Sequence, residues 1–275
     1  MKVKELCAKY MKRKGIYLKS AEEKQRIIDV YINPKLGNRV ISRLSLDAID
    51  DFHKSMANTP YQANRCLSEL STVLTYAESV KLLPLRSNPC YLVTKFKEKP
   101  RRRYATREES ITLFKQLYDN IDRYPESVLF VFLLILTGAR PSEIANALPS
   151  EVKYFDDGQG CIDQEDSKRG ERKIYLPVLA VDLIKRCNLQ HKTLTGIKYP
   201  KSFWNRMRRE AKCPDLRIYD LRHSFASAGV DAGLTLKQIG ELLGHSSESS
   251  TNRYTHLMHH TALRSVTAVQ QVMTS

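Results

Sequence analysis

Paired cysteines, long apolar runs and a surplus of acid are all missing from this sequence. The six cysteines, Cys7, Cys66, Cys90, Cys161, Cys187 and Cys213, are scattered, with no Cys-x-x-Cys pair among them. Such spacing suggests neither a zinc site nor a disulfide framework, and reduced thiols in a cytoplasm are the simple reading. The longest apolar run, "VLFVFLLIL" from Val128 to Leu136, is well short of the roughly 20 residues that span a bilayer and reads as a buried helix. The opening "MKVKELCAKYMKRKG" has no apolar core of signal-peptide kind, and no internal repeat or low-complexity tract follows. A soluble, cytoplasmic protein is expected.

What is abundant is positive charge. Lys and Arg number 45 against 30 Asp and Glu, giving +15 at neutral pH and a pI near 9.5. This is the footprint of a protein that neutralises backbone phosphates. A membrane-surface protein or a merely basic soluble one would share it, but no basic amphipathic segment dominates, so nucleic acid is the expected partner. With 275 residues, 42% of them hydrophobic, the chain can build one large or two ordinary cores, and wholesale disorder is excluded.

The first hundred residues read as helices. "SAEEKQRIIDVYI" opens with Ser20 as a cap and Glu23 three residues on, the spacing of a capping box. Pro34 and Gly37 are expected to break that helix, and Ser45 to cap the next. In "YQANRCLSELSTVLTYAESVKLL", Leu67, Leu70, Val73, Leu74, Ala77 and Val80 share one face. Four such helices can bury a small core by themselves. The composition then changes: "KFKEKPRRRYATREE" gathers Lys95, Lys97, Lys99, Arg101, Arg102 and Arg103 around Pro100 without any apolar period. Residues 1–94, 95–104 and 105–275 are therefore read as a helical domain, a basic linker and a second domain. A charge run is usually a solvated linker, although an extended basic strap can also lie along a phosphate backbone.

The second domain resumes with a helix capped at Thr106 and the buried helix ending near Thr137. Around Cys161 and at "RKIYLP" the chain is β-rich, with "SKRGER" between as a turn. After Pro177 helices return, giving a mainly α fold with one small antiparallel β-sheet. Within it, "LTGARPSEI" holds Arg140 just after the buried helix, with Pro141 at a helix start. "DSKRGERKIYLP" offers Lys168 at a turn, "YDLRHSFAS" sets Tyr219 and Arg222 three apart, and "LLGHSSESSTNRYTH" supplies His245 and Tyr254. Singly, each has a structural explanation. Arg140 could pair with Glu143, His223 could be a satisfied interior histidine, and most of the 14 tyrosines must pack.

Taken in order, "TGARPSEI", "DLRHSFAS", "LLGHSS" and "RYTH" resemble the signature of the tyrosine recombinases, the phage integrase family. The resemblance covers the second domain and extends more weakly to "TPYQANRCLSELSTVLTYAE" in the first. It implies a two-domain DNA clamp, a helical core-binding domain plus a catalytic domain, that cleaves and rejoins DNA through a 3′-phosphotyrosyl link. The implied roles are Tyr254 as nucleophile, Arg140 and Arg222 as forks on the non-bridging oxygens, Lys168 as proton donor to the leaving oxygen and His245 as a further donor. A guanidinium fork donates two parallel bonds and keeps its charge, and a partly desolvated ammonium can titrate, so the residue types suit the chemistry. No cofactor and no metal are implied. Double-stranded DNA, a homotetramer on two sites and a DNA-bending accessory protein are the expected partners.

This chain departs from the family pattern twice. Where most relatives place His three residues before the second Arg, it has Tyr219, a neutral donor expected to be a weaker phosphate ligand. The hairpin turn is one residue longer than the commonest pattern, leaving Lys173 and, less strongly, Arg169 as competitors of Lys168. His223, adjoining Arg222 about 100° round the helix, is a poor substitute for the missing His. His256, His259 and His260 read as helix-start residues and Trp204 as core. Arg206, Arg208 and Arg209 could be DNA contacts or a solvated basic face. Leu263, Val266, Val269 and Val272 line one side of a terminal helix suited to docking on a neighbouring subunit. Two other readings remain: a non-catalytic helix-turn-helix regulator, with Gly244 at the turn, and a type IB topoisomerase. The arm-binding domain that many relatives carry is not apparent ahead of the helical module, so the enzyme either works without arm sites or begins part-way through a longer protein.

Overall fold

The computed structural model describes residues 1–18, 20–99, 101–164, 172–245, 251, 254, 255, 270 and 273. The chain divides into two compact units, Met1–Pro100 and Arg101–Ser275, so the boundary falls inside the basic stretch. The turn at 165–171 and nearly all of the terminal segment, including His256, His259, His260, Leu263, Val266, Val269 and Val272, lie outside the described residues.

The first unit is built from α1 (Val3–Lys14), α2 (Ala21–Ile27), α3 (Asn33–Leu36), α4 (Leu46–Lys54) and α5 (Pro60–Ser79). In α5 the apolar residues recur at helical spacing, and Leu67, Leu70, Val73, Leu74 and Ala77 are all buried against Leu6, Ile28, Ile32, Ile49 and Phe52. Proline at the first turn of α5 costs no hydrogen bond, because that N–H has no partner in a helix. Ser45 caps α4 as expected, its Oγ accepting from Ala48 N at 3.2 Å.

Two expectations fail here. Ser20 precedes α2 but makes no side-chain cap; Glu23 instead grips the Arg26 guanidinium with two bonds of 2.8 Å. Nor does Pro34 end the helix. Residues Ile28–Ile32 form one wider, π-type turn that leads straight into α3, which holds Pro34 in its first turn. A proline lacks an N–H and its ring crowds the turn before it. The wider turn relieves both, and the chain stays helical as far as Leu36.

The second unit contains α6 (Arg107–Asp119), α7 (Pro125–Thr137), α8 (Pro141–Asn146), strands β1 (Val152–Tyr154), β2 (Gly160–Gln164) and β3 (Arg172–Leu176), then α9 (Val178–Cys187), α10 (Lys201–Glu210), α11 (Asp220–Asp231) and α12 (Leu236–Leu243). The strands form an antiparallel sheet in the order β1-β2-β3, with Ile162 opposite Ile174. Thr106 and Glu109 close a capping box at the start of α6. Helix α7 is apolar on every side because it is covered on every side: Val128 through Leu134 are all buried. Trp204 packs in the same core. Gly138 ends α7 with φ +62°, and a Cβ there would lie 2.6 Å from the Phe225 ring and 2.7 Å from Leu243. Only glycine lets α11 and α12 close over that end of α7.

The cysteines behave as packing residues. Five of the six are buried, and burial pushes the thiols of Cys7 and Cys90 up to about 12, leaving them protonated and inert. Among the described residues no helix is long and apolar enough to cross a membrane.

Candidate active site

The last carbonyls of a helix have no partner within it and carry the negative end of its dipole. At the end of α12 these carbonyls gather arginines. Arg172 donates from Nη2 to Leu242 O at 2.9 Å, Arg222 from Nη2 to Leu243 O at 2.7 Å, and Arg140 from Nη2 to Gly244 O at a longer 3.5 Å. Arg222 also reaches Gly138 O, at 2.8 Å, and so ties the ends of α7 and α12 together. Gly244 is left-handed (φ +63°) and its missing side chain makes room for the cluster, since a Cβ would stand 2.6 Å from Arg172 Nε.

Among the described residues, one carboxylate answers these cations. Glu143, in the first turn of α8, accepts from Arg140 N at 2.7 Å and from Arg140 Nη1 at 2.5 Å, with Arg172 Nε at 3.9 Å. That Nε is buried and has no hydrogen-bond partner. Burial first, and then the neighbouring Arg140, bring the Arg222 guanidinium down to about 10. Burial likewise lowers Arg172, partly offset by Glu143. Both stay charged at neutral pH. Among the described residues, three guanidiniums against one carboxylate leave a surplus of about two positive charges in a largely desolvated place, the condition an anion relieves.

Beside the cluster lies Tyr254, which Arg222 feels electrostatically. Its ring is buried among Ala226, Val230, Ile239 and Leu243, between α11 and α12. His223 Nδ1 is 2.9 Å from the phenolic oxygen. His245 Nδ1 is 2.7 Å from Thr251 Oγ1, and its ring runs nearly parallel to that of Tyr254, 7° apart, with centroids separated by 6.5 Å. Arg140, Arg222, His245 and Tyr254, distant in sequence, thus meet at one end of α12. Lys168 and Arg169 lie outside the described residues.

A sequence model of the Phage integrase family matches residues 112–260, which include every side chain of this cluster. The chain belongs to that family. It is 30% identical over 166 residues to Tyrosine recombinase XerA of Saccharolobus solfataricus, an overlap of 58% of this chain and 55% of that one. The chain therefore spans a little over half the length of that relative. Its fold is that of lambda integrase (75-356), solved as a dimer bound to a COC' core site: TM-score 0.72 at 20% identity, covering 92% of this chain and 95% of the other. A lambda integrase tetramer bound to a Holliday junction gives 0.70 at 18% identity over 90% and 78%.

Other residues of this integrase-family chain sit where the sequence did not suggest. Tyr219 immediately precedes α11, 57% exposed, and makes no hydrogen bond among the described residues, so it is not joined to the arginines. Lys173 occupies the exposed face of β3, paired in register with Asp163, whereas Arg172 faces inward with Ile174 and Leu176. The period-two pattern of "RKIYL" carried that signal: an arginine shares the apolar face of a strand. His223, about 100° round α11 from Arg222, is turned by that rotation toward Tyr254.

The basic stretch is not uniformly free. Arg101 forks Asp220 at the start of α11, with bonds of 2.9 to 3.2 Å, and donates to Asp215 O. Arg103 binds Glu109 and Asp215. Ala105 N donates to Ser224 Oγ. Arg101 and Ala105 thus fasten this stretch to α11, and Arg103 fastens it to α6 and to Asp215. Lys95, Lys97, Lys99 and Arg102 remain exposed. Arg206 stacks on Tyr124 and donates to its hydroxyl, and Arg208 donates to Leu216 O, so neither is an idle surface charge. Among the described residues no group of three or more His, Cys, Asp or Glu could hold a metal ion.

Proposed function

We propose that this chain is a site-specific DNA recombinase that cuts and rejoins strands through a covalent 3′-phosphotyrosyl intermediate. The observation that carries the reading is the convergence of Arg140, Arg172 and Arg222, opposed among the described residues by Glu143, beside the phenol of Tyr254. A scissile phosphodiester supplies the missing negative charge, and its non-bridging oxygens accept from Arg140 and Arg222 as negative charge builds on them in the transition state. Tyr254 Oη gives up its proton to water as it attacks phosphorus, the P–O bond to the 5′ oxygen breaks, and Lys168 gives that oxygen a proton. His245, oriented by Thr251, donates a further bond to the phosphate. Because the phosphotyrosyl link roughly keeps the free energy of the bond it replaces, a second DNA end can reverse the step without ATP.

Residues 1–94 serve as the core-binding domain and 105–275 as the catalytic domain, with Lys95, Lys97, Lys99 and Arg102 on backbone phosphates. Tyr219 meets the DNA backbone outside the arginine cluster, as its exposure suits. The enzyme acts as a tetramer on two sites to integrate or excise a phage or genomic-island element, with a bending protein as accessory. The lambda integrase tetramer on a junction supports that assembly by likeness of fold.

Sequencing DNA trapped on the protein identifies the site, and a nicked duplex carrying it then tests the reading. The wild type is expected to form a covalent adduct that Tyr254→Phe abolishes, and to exchange strands between two sites. Binding without an adduct would favour a regulator; an adduct without exchange, a topoisomerase.

A further inference from the structure

One part-buried polar contact of the cluster, between α11 and Tyr254, is not among the phosphate contacts. His223 follows Arg222 on α11, a rotation of about 100°. Arg222 consequently points to the carbonyls of Gly138 and Leu243, while His223 points to Tyr254. The two rings are tilted by 59° with centroids 5.7 Å apart, so they do not stack; they meet through Nδ1 and Oη at 2.9 Å. The residue three before Arg222, Tyr219, is exposed and unbonded among the described residues, and His245 Nδ1 is engaged by Thr251.

We propose that His223 is a positioning residue for the nucleophile: its Nδ1 accepts the phenolic O–H of Tyr254 and holds the ring in one rotamer, with the oxygen aimed for its bond to phosphorus. The proposal rests on Tyr254 being the nucleophile. Holding a reacting group in place is a large share of enzymatic rate, and small displacements are costly. His223 lies on the packed helix that also carries Arg222. A single rigid element thus sets the phosphate ligand and the phenol relative to each other.

The test compares wild type, Tyr254→Phe, His223→Phe and His223→Asn on the nicked duplex, measuring adduct formation rate and DNA affinity separately. His223→Phe keeps the ring and removes the acceptor. It is expected to bind within about twofold of wild type and to form adduct on the order of 10- to 100-fold more slowly. His223→Asn places an amide oxygen near the Nδ1 position and is expected to recover the rate to within about threefold of wild type. A His223→Phe rate equal to wild type, or an Asn variant as slow as Phe, overturns the proposal. If His223→Phe loses affinity through misfolding, His223→Ala takes its place against Asn with the same two outcomes. Failure of the wild type to form adduct, or an adduct that survives Tyr254→Phe, sinks the nucleophile itself and is distinguishable from both.

Discussion

The two units bury ionisable groups under opposite conditions. In the first, each buried carboxylate meets a donor: Glu69 is paired with Lys24, and Glu78 accepts from Asn88 N at 2.7 Å. His53 is likewise satisfied, its Nε2 2.9 Å from Asn64 Oδ1. In the second, Arg172 and Arg222 are both buried with Arg140 beside them, and among the described residues they share one glutamate and a row of backbone oxygens. Polar groups that close on one another hold a fold together. Buried cations in excess weaken it, and are kept where an incoming anion completes them. The difference singles out the second unit as the one prepared for an anion, without reference to any motif.

If the contrast is right, it breaks cleanly under mutation. Arg222→Met should cut adduct formation by a factor on the order of 1000 or more, the scale of losing an oxyanion donor. Its stability should change by no more than about 1 kcal/mol, because relief of desolvation offsets two lost hydrogen bonds. Glu69→Gln in the first unit should do the reverse, leaving adduct formation intact and costing about 2 kcal/mol in urea unfolding, after allowance for the partly exposed Lys24. Large loss of both properties in either variant would erase the distinction. Gly138→Ala should come next, destabilising by about 3 kcal/mol from a strained φ and a clash with Phe225 and Leu243. The smallest effect separates neighbours in the basic stretch. Arg102→Ala should reduce the slope of log affinity against log salt by about 1, whereas Arg101→Ala should leave that slope alone and lower the melting temperature. Equal slopes for the two variants would remove the assignment of Arg101 to Asp220.

Much of this was legible in the letters, and the remainder was hidden for physical reasons. The helix covered on all sides, the caps at Ser45 and Thr106 and the meeting of Arg140, Arg222, His245 and Tyr254 follow from local pattern and from resemblance. Ser20 misled because its partner-to-be, Glu23, had a closer arginine in Arg26. Pro34 misled because one wide turn absorbs it. Arg101 and Arg103 look identical to Arg102 in sequence; only the arrival of Asp215, Asp220 and Glu109 from later in the chain tells them apart. His223 depends on a contact across 31 positions, which no spacing rule along one helix supplies.

The oxygens that collect the arginines belong to the main chain at 242, 243 and 244. Every amino acid offers the same acceptor there, so no replacement of a side chain can delete one. What preserves the receptor is the path of the polypeptide through that bend, which the left-handed Gly244 permits.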